Sequence, residues 1–386
     1  MTDLALQAPP IIAYPGAEYA DDVRQFQGIP GIERAPEGRL WATWYSGGDW
    51  EGPENYLLLS TSADDGASWS EPVLAVHPPG QVRAFDPCLW LDPQNRLWLF
   101  WSQSLGGVDG RFGVWAMVTS NPDSAMPDWS EPRRLGDGIM MNKPTVTRAG
   151  EWVLPVSIWP AQNRAHQPPE YFHPGERSGA YAVVSTDQGK TFEYRGKADG
   201  QAERVFDEHM FVERADGSWW MLNRVKIGIW ENVSTDGGRT WDQGHLSSIP
   251  HLNSRFFIRR LQSGNLLLVR HDHPEQTLKP NQVPRSHLAA FLSSDDGQSW
   301  QGGLLLDERD GVSYPDGTQM PDGTIHVIYD WNRTKDKRIL LATFTEEDIL
   351  AGKWISPVAR PRVLINQATA VGKDGPVTTV AELVAN

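Results

Sequence analysis

The chain has 386 residues, with 35 Lys and Arg against 49 Asp and Glu, a formal net charge of −14. It therefore lacks the concentrated positive field that phosphate contacts require, and no nucleic-acid partner is expected. A hydrophobic share of 39% that includes 18 Trp, 12 Phe and 9 Tyr excludes bulk disorder.

The N-terminus, Met1 to Pro10, has no basic flank leading into an apolar run, and no stretch of about 18 apolar residues occurs anywhere. The expectation is a cytoplasmic protein with no membrane partner, unless a leader was removed before the numbering begins. One cysteine, Cys88, cannot form an internal disulfide, and the 10 His show no zinc-type spacing. His271 and His273 flank Asp272 on one strand face, but no third ligand is identifiable, so neither a metal nor any other cofactor is assigned.

Glycine and proline are numerous and evenly spread, as many short strands joined by tight turns require. Two interleaved repeats follow in chain order. The first is a turn leading into a bulky run: Pro36 to Trp44, Pro93 to Trp101, Ala149 to Val156, Ala215 to Leu222, Gln262 to Val269 and Pro321 to Ile328. The second is Ser-x-Asp-x-Gly-x-(Ser/Thr)-aromatic, with its Asp at Asp64, Asp187, Asp236 and Asp295 and degenerate copies at Ser120 to Trp129 and Thr343 to Trp354. Its aromatic anchors are Trp69, Trp129, Phe192, Trp241, Trp300 and Trp354, each following one copy of the first repeat. A unit of roughly 50 residues holding four strands is the arithmetic of a propeller blade. The fold expected is all-β, a six-bladed β-propeller occupying residues 1–386 as one domain, with its pocket on the central axis. The N-terminal segment is expected to close the ring by joining the last blade, alongside the β-like run from Ala359 to Val384. In the box the Asp fixes its own turn, the Gly takes the left-handed position and the aromatic packs between blades, a structural role. Most of the tryptophans are assigned to packing as well.

A box of this form repeated around six blades resembles the sialidase (neuraminidase) superfamily over essentially the whole chain, and three further segments are similar to its site. Glu208 to Gly217 followed by Met221-Leu222-Asn223-Arg224 is similar to the stretch in which a Glu precedes a hairpin and an Arg ends the next strand. Arg285-Ser286-His287-Leu288 is similar to a second arginine segment, and Ser313-Tyr314-Pro315-Asp316 to the tyrosine segment. The resemblance implies Tyr314 as nucleophile, Glu208 as the base that activates it, and Arg224 and Arg285 as two of three arginines holding a substrate carboxylate. A carboxylate nucleophile would repel such a substrate, and sialidases use tyrosine instead. Guanidinium forks hold a carboxylate bidentately, which lysine cannot do.

The chain departs from the family where an Arg-Ile-Pro is expected: Gly28 precedes Ile29-Pro30, so one arginine is missing, with Arg24 and Arg83 as possible substitutes. The acid is sought in the loop Gly47 to Asn55, with Asp49 the first choice and Glu51 the second. Lys143, in Met141-Asn142-Lys143-Pro144, is a further candidate for substrate binding, as is His209. Structural readings stand beside these: Tyr314 as a turn aromatic, Glu208 and Arg224 as an ion pair across strands, and Lys143 as an exposed side chain. The function implied is a retaining exo-glycosidase that removes a terminal acidic sugar, so the partner expected is an acidic oligosaccharide or glycan. The alternatives are a uronate lyase in which Tyr314 works with His209 or His287, and a non-catalytic glycan-binding propeller.

Overall fold

The computed structural model describes residues 3–106, 111–159, 175–198, 203–274 and 283–372. Apart from one short α-helix, Glu346–Ala351, and four 3-10 turns, the regular structure is strand. Six antiparallel sheets follow one another along the chain and stand as the blades of a six-bladed β-propeller. Each blade runs outward from an innermost strand: Gln27–Arg34, Val82–Leu91, Thr145–Val146, Met210–Glu213, Phe257–Arg260 and Val312–Gln319 in blades one to six.

The middle strands carry the first repeat and are buried along their length, as in Leu40–Ser46, Trp152–Ile158 and Ile325–Trp331. Blades cover them on both faces, which accounts for runs of bulky residues in place of alternation. The outer strands, such as Arg133–Asp137, are partly exposed. In the boxes, Asp64 accepts from Ser62 Oγ at 2.8 Å and from the Ser68 amide at 2.9 Å, and the Gly66 amide donates to Ser62 Oγ at 2.9 Å. The same pattern recurs at Asp187, Asp236 and Asp295. At Gly297, where φ is +87°, a Cβ would stand 2.5 Å from the Trp220 ring, so the box glycine lets the turn lie flat on a blade tryptophan. Trp41, Trp44, Trp90, Trp101, Trp152 and Trp220 are fully buried, as packing residues should be.

The ring closes differently from the expectation. Blade six draws all four of its strands from Val312 onward, ending with Arg360–Gln367, while the N-terminal strand Ile11–Ala13 pairs with Leu74–Val76 at the outer edge of blade one. Among the described residues no strand is shared between the first and last blades. Their seam is instead sewn by cross-blade hydrogen bonds: the Ile29 amide to Asp330 at 2.8 Å, the Ile32 amide to Asp316 at 2.9 Å, the Gln27 amide to the Arg333 carbonyl at 3.1 Å, and the Thr369 amide to the Asp21 carbonyl at 2.7 Å. The segment from Ala359 to Val384 lies outside the described residues beyond position 372.

Candidate active site

Three innermost strands share one irregularity. Register skips two residues between Gly28 and Gly31, between Phe85 and Cys88, and between Ser313 and Asp316. The residue at each skip precedes a proline and has a positive φ: Ile29 at 53°, Asp86 at 50° and Tyr314 at 55°. A bulge of this kind re-aims a side chain that the strand's alternation would otherwise send into the sheet. All three side chains line one small cavity of about 20 Å³, together with Glu51, Arg83, Phe85, Met141, Trp159, Phe206 and Glu208. Larger clefts open toward the other ends of the same strands, where Arg34, Thr318 and Gln319 lie, and they contain none of the cavity's acids.

Tyr314 Oη donates to Glu208 Oε1 at 3.0 Å, and Arg224 Nη1 donates to the same carboxylate oxygen at 2.6 Å and to the phenol oxygen at 3.0 Å. Arg224 is oriented by Asn253, whose side-chain oxygen accepts from its Nε at 2.9 Å. Glu208 Oε2 is buried without a hydrogen-bond partner, a costly arrangement unless something else occupies the cavity. Arg285, with its guanidinium carbon 5.3 Å from the Tyr314 ring centroid, donates to the Asn253 carbonyl at 3.2 Å. Burial and the Glu208 charge push the Tyr314 hydroxyl up to about 12, against the pull of Arg224, Arg285 and Arg333. The site therefore holds a neutral phenol already bonded to its proton acceptor. Burial, with Glu51 and Glu208 nearby, raises the Asp86 carboxyl to about 8, so it is protonated at neutral pH.

The structure thus brings together Tyr314, Glu208, Arg224, Arg285, Glu51 and Arg83, the last with its guanidinium 4.0 Å from the Phe85 ring centroid. Asp49 lies in the same loop as Glu51 but is not among the residues lining the cavity. Three candidates are placed away from the cavity. Lys143 does not line it: its Nζ is buried against the carbonyls of Ile32 at 2.5 Å and Leu89 at 2.6 Å and the carboxylates of Glu33 and Asp316, each at 3.2 Å. Burial draws this ammonium down, but the two carboxylates outweigh it and the net shift is upward. It ties blades together across the axis. Arg24 is buried in the ring seam, bonded to Asp21, Gln27 and Asn366, and does not reach the cavity. His209 has both ring nitrogens against backbone carbonyls, Asp207 at 3.0 Å and Tyr181 at 2.9 Å, and burial lowers its basicity. Among the described residues no histidine lines the cavity, and His287 instead meets Ser286 Oγ at 2.9 Å.

Sequence reasoning missed Arg333, Asp86 and Asp330. Asp86-Pro87 carried a signal, since it repeats the dipeptide form of Tyr314-Pro315. Arg333 carried none, because it lies on a turn of the last blade and meets Gly28 only through ring closure. No group of His, Cys, Asp and Glu suited to a metal occurs among the described residues, and no helix among them is long and apolar enough to cross a membrane.

Comparison with known proteins gives the same architecture. Residues 38–327 match the BNR repeat-like domain family. A sialidase of Micromonospora viridifaciens is 27% identical over 327 residues, 78% of this chain and 49% of that protein, so the chain spans about half the length of this curated relative. Among solved structures, the Hadza microbial sialidase Hz136 superposes with a TM-score of 0.63 at 18% identity, covering 84% of this chain and 66% of that one. The intramolecular trans-sialidase from Ruminococcus gnavus, in complex with oseltamivir carboxylate, gives 0.62 at 14%, covering 89% and 99%. At these identities the two superpositions speak for the fold alone.

Proposed function

The chain belongs to the BNR-repeat, sialidase-type propeller superfamily, and from that premise we propose that it is a retaining exo-glycosidase that removes a terminal acidic sugar from an oligosaccharide. The observation that carries this reading is the phenol of Tyr314 donating to Glu208 at 3.0 Å with Arg224 on both oxygens. A turn aromatic would have no use for a buried acceptor with a second oxygen left unpaired.

The reaction this geometry serves has two steps. Tyr314 Oη attacks the anomeric carbon while its proton passes to Glu208, which avoids a free phenolate that burial disfavours. The bond to the leaving oxygen breaks, and that oxygen takes a proton from a second carboxyl that lines the cavity. Asp86 is the carboxyl there that burial holds protonated, whereas Glu51 is ion-paired with Arg333 at 2.6 Å. We assign the donor's role to Asp86. In the second step water gives a proton to the Asp86 carboxylate and attacks the anomeric carbon, and the departing Tyr314 oxygen recovers its proton from Glu208. Two displacements retain the configuration. Elimination has less support, because the histidines it needs do not line the cavity.

The test is a screen of oligosaccharides ending in sialic, related ulosonic or uronic acids, with mass-spectrometric detection of released sugar and NMR of the first-formed anomer. Turnover with retention, lost in Tyr314→Phe while the fold persists, is the expected result. Activity surviving in Tyr314→Phe would remove the phenol from the mechanism, and an unsaturated product would replace hydrolysis with elimination.

A further inference from the structure

Three guanidinium groups crowd one phenol ring. Arg224 bonds to the Tyr314 hydroxyl, and the guanidinium carbons of Arg285 and Arg333 lie 5.3 and 5.1 Å from the ring centroid. Arg285 is lowered from its ordinary value by burial first and then by the charges of Arg224 and Arg333, against the pull of Tyr314 and Glu208. Mutual repulsion of this kind is tolerated where an anion is to be bound.

Arg333 enters the cluster by an unusual route. It stands on the turn between strands Ile325–Trp331 and Arg338–Phe344, which is braced by the Asn332 amide to the Gly311 carbonyl at 3.1 Å and by the Lys337 amide to the Asn332 carbonyl at 2.7 Å. From there its stem crosses the ring seam and passes over Gly28. A Cβ on Gly28 would collide with Cγ and Cδ of Arg333 and would come within 2.9 Å of an Asp330 carboxylate oxygen. Gly28 has no positive φ that would call for glycine, so what excludes a side chain there is chiefly the arginine stem, with the Asp330 carboxylate beside it. Gly28 is also the position at which the resemblance expects an arginine and finds none. At its far end Arg333 meets Glu51 at 2.6 Å and Asp330 at 4.0 Å, and its guanidinium carbon is 5.7 Å from the ring of the half-exposed Trp50.

We propose that Arg333, reaching over Gly28 from the last blade, completes with Arg224 and Arg285 the clamp that selects a planar carboxylate on the substrate, so that one binding site has moved its third arginine across the ring seam. The assignment rests on the proposed function above and adds the residue that sets its preference for an acidic sugar. A planar fork is the group suited to a planar anion, and Glu51 holds that fork in place until the ligand takes it over.

The experiment measures binding by calorimetry to the didehydro forms of N-acetylneuraminic acid and of deoxy-nonulosonic acid and to glucuronate, each beside its uncharged methyl ester. The proteins are the wild type, Arg333→Ala, Arg333→Gln, and the relocation variant Gly28→Arg with Arg333→Ala, all checked by thermal melting. Arg333→Gln keeps the stem packed on Gly28 in case the alanine variant does not fold. The expected result is a preference of the wild type for one acid over its ester, a drop of that preference by at least about tenfold, the usual reach of one charge-assisted pair, in both single variants, and its return in the relocation variant. Equal weakening of acid and ester would mean that Arg333 only supports the wall, and an unchanged preference would mean that it does not touch the ligand. A relocated arginine that restores nothing would overturn the shared site. Should the wild type itself show no preference for any acid, the proposed function falls first and this assignment with it.

Discussion

At the residue scale the site is a matter of which groups hold protons before substrate arrives. Tyr314 is kept neutral by burial and Glu208, and Asp86 is kept neutral by burial with Glu51 and Glu208 as like charges. A donor raised to about 8 is useful only while protonated, so kcat/KM, which reports the free enzyme, should decline as pH rises through about 8. Stability follows the same sign. The folded carboxyl binds its proton more tightly than the unfolded one, so its contribution is present below the unfolded value near 4 and is lost as pH rises through the folded value. Asp86→Asn should therefore lower kcat by about two orders of magnitude, the usual reach of a proton donor. It should also remove the alkaline limb and melt higher than the wild type at pH 9 relative to pH 6. Glu51→Gln should keep the limb but move it to lower pH, because one of the like charges that raise Asp86 is gone. Pre-steady-state rates and thermal melts across that range decide it: an Asp86→Asn enzyme with normal kcat and an unchanged limb would return the donor's role to the Gly47 to Asn55 loop.

At the scale of the element, function depends on three short defects in otherwise regular strands. Proline has no amide hydrogen to give to the ladder, so Pro30, Pro87 and Pro315 each sit where the register skips, and the residue before each is turned over. Pro315→Ala restores a donor at the skip and removes the ring that keeps the strand irregular. The expected outcome is a strand that relaxes toward regular pairing and swings the phenol out of reach of Glu208, with activity down by at least about tenfold, since a misplacement near 1 Å can cost a hundredfold, and a melting temperature held or raised because a strained φ is relieved. Unchanged turnover would show that the bulge is held by its surroundings and not by the proline. These elements also mark how far sequence carries. The turn-and-run repeat and the box are local patterns whose residues bond to one another within a few positions, and they were legible. The bulges were half legible, for Asn142-Lys143-Pro144 reads much like the other three, yet Lys143 is drawn inward by Glu33, Asp316 and two carbonyls instead of facing the cavity. Those attractions join residues at least 54 positions apart, and no local pattern encodes them.

For the whole molecule the decisive feature is a ring that closes, among the described residues, without a shared strand. Blades one and six meet through side chains and a few amides, and Arg24 is the center of the outer part of that seam, with Asp21, Gln27 and Asn366 as its partners and Gln27 reaching on to the Lys337 carbonyl at 2.6 Å. Burial lowers the Arg24 basicity and Asp21 offsets part of the loss, so the group is an ion held dry by its partners. Arg24→Ala would take the donor from the side-chain oxygens of two buried amides, Gln27 and Asn366, at a cost of about 1–3 kcal/mol for such a loss. The clasp lies apart from the cavity, and its contribution should appear in stability and not in recognition. Urea unfolding of Arg24→Ala should show a lower midpoint with an unchanged slope, while kcat and KM, measured well below the new transition, stay within about twofold of the wild type, the spread expected where transition-state contacts are untouched. This is the opposite signature to the loss at Arg333, which should spare the midpoint more than the preference for acid. If Arg24→Ala instead raised KM for acidic sugars and left the midpoint alone, the seam would be held by its backbone amides, and Arg24 would return to the substrate as the missing arginine.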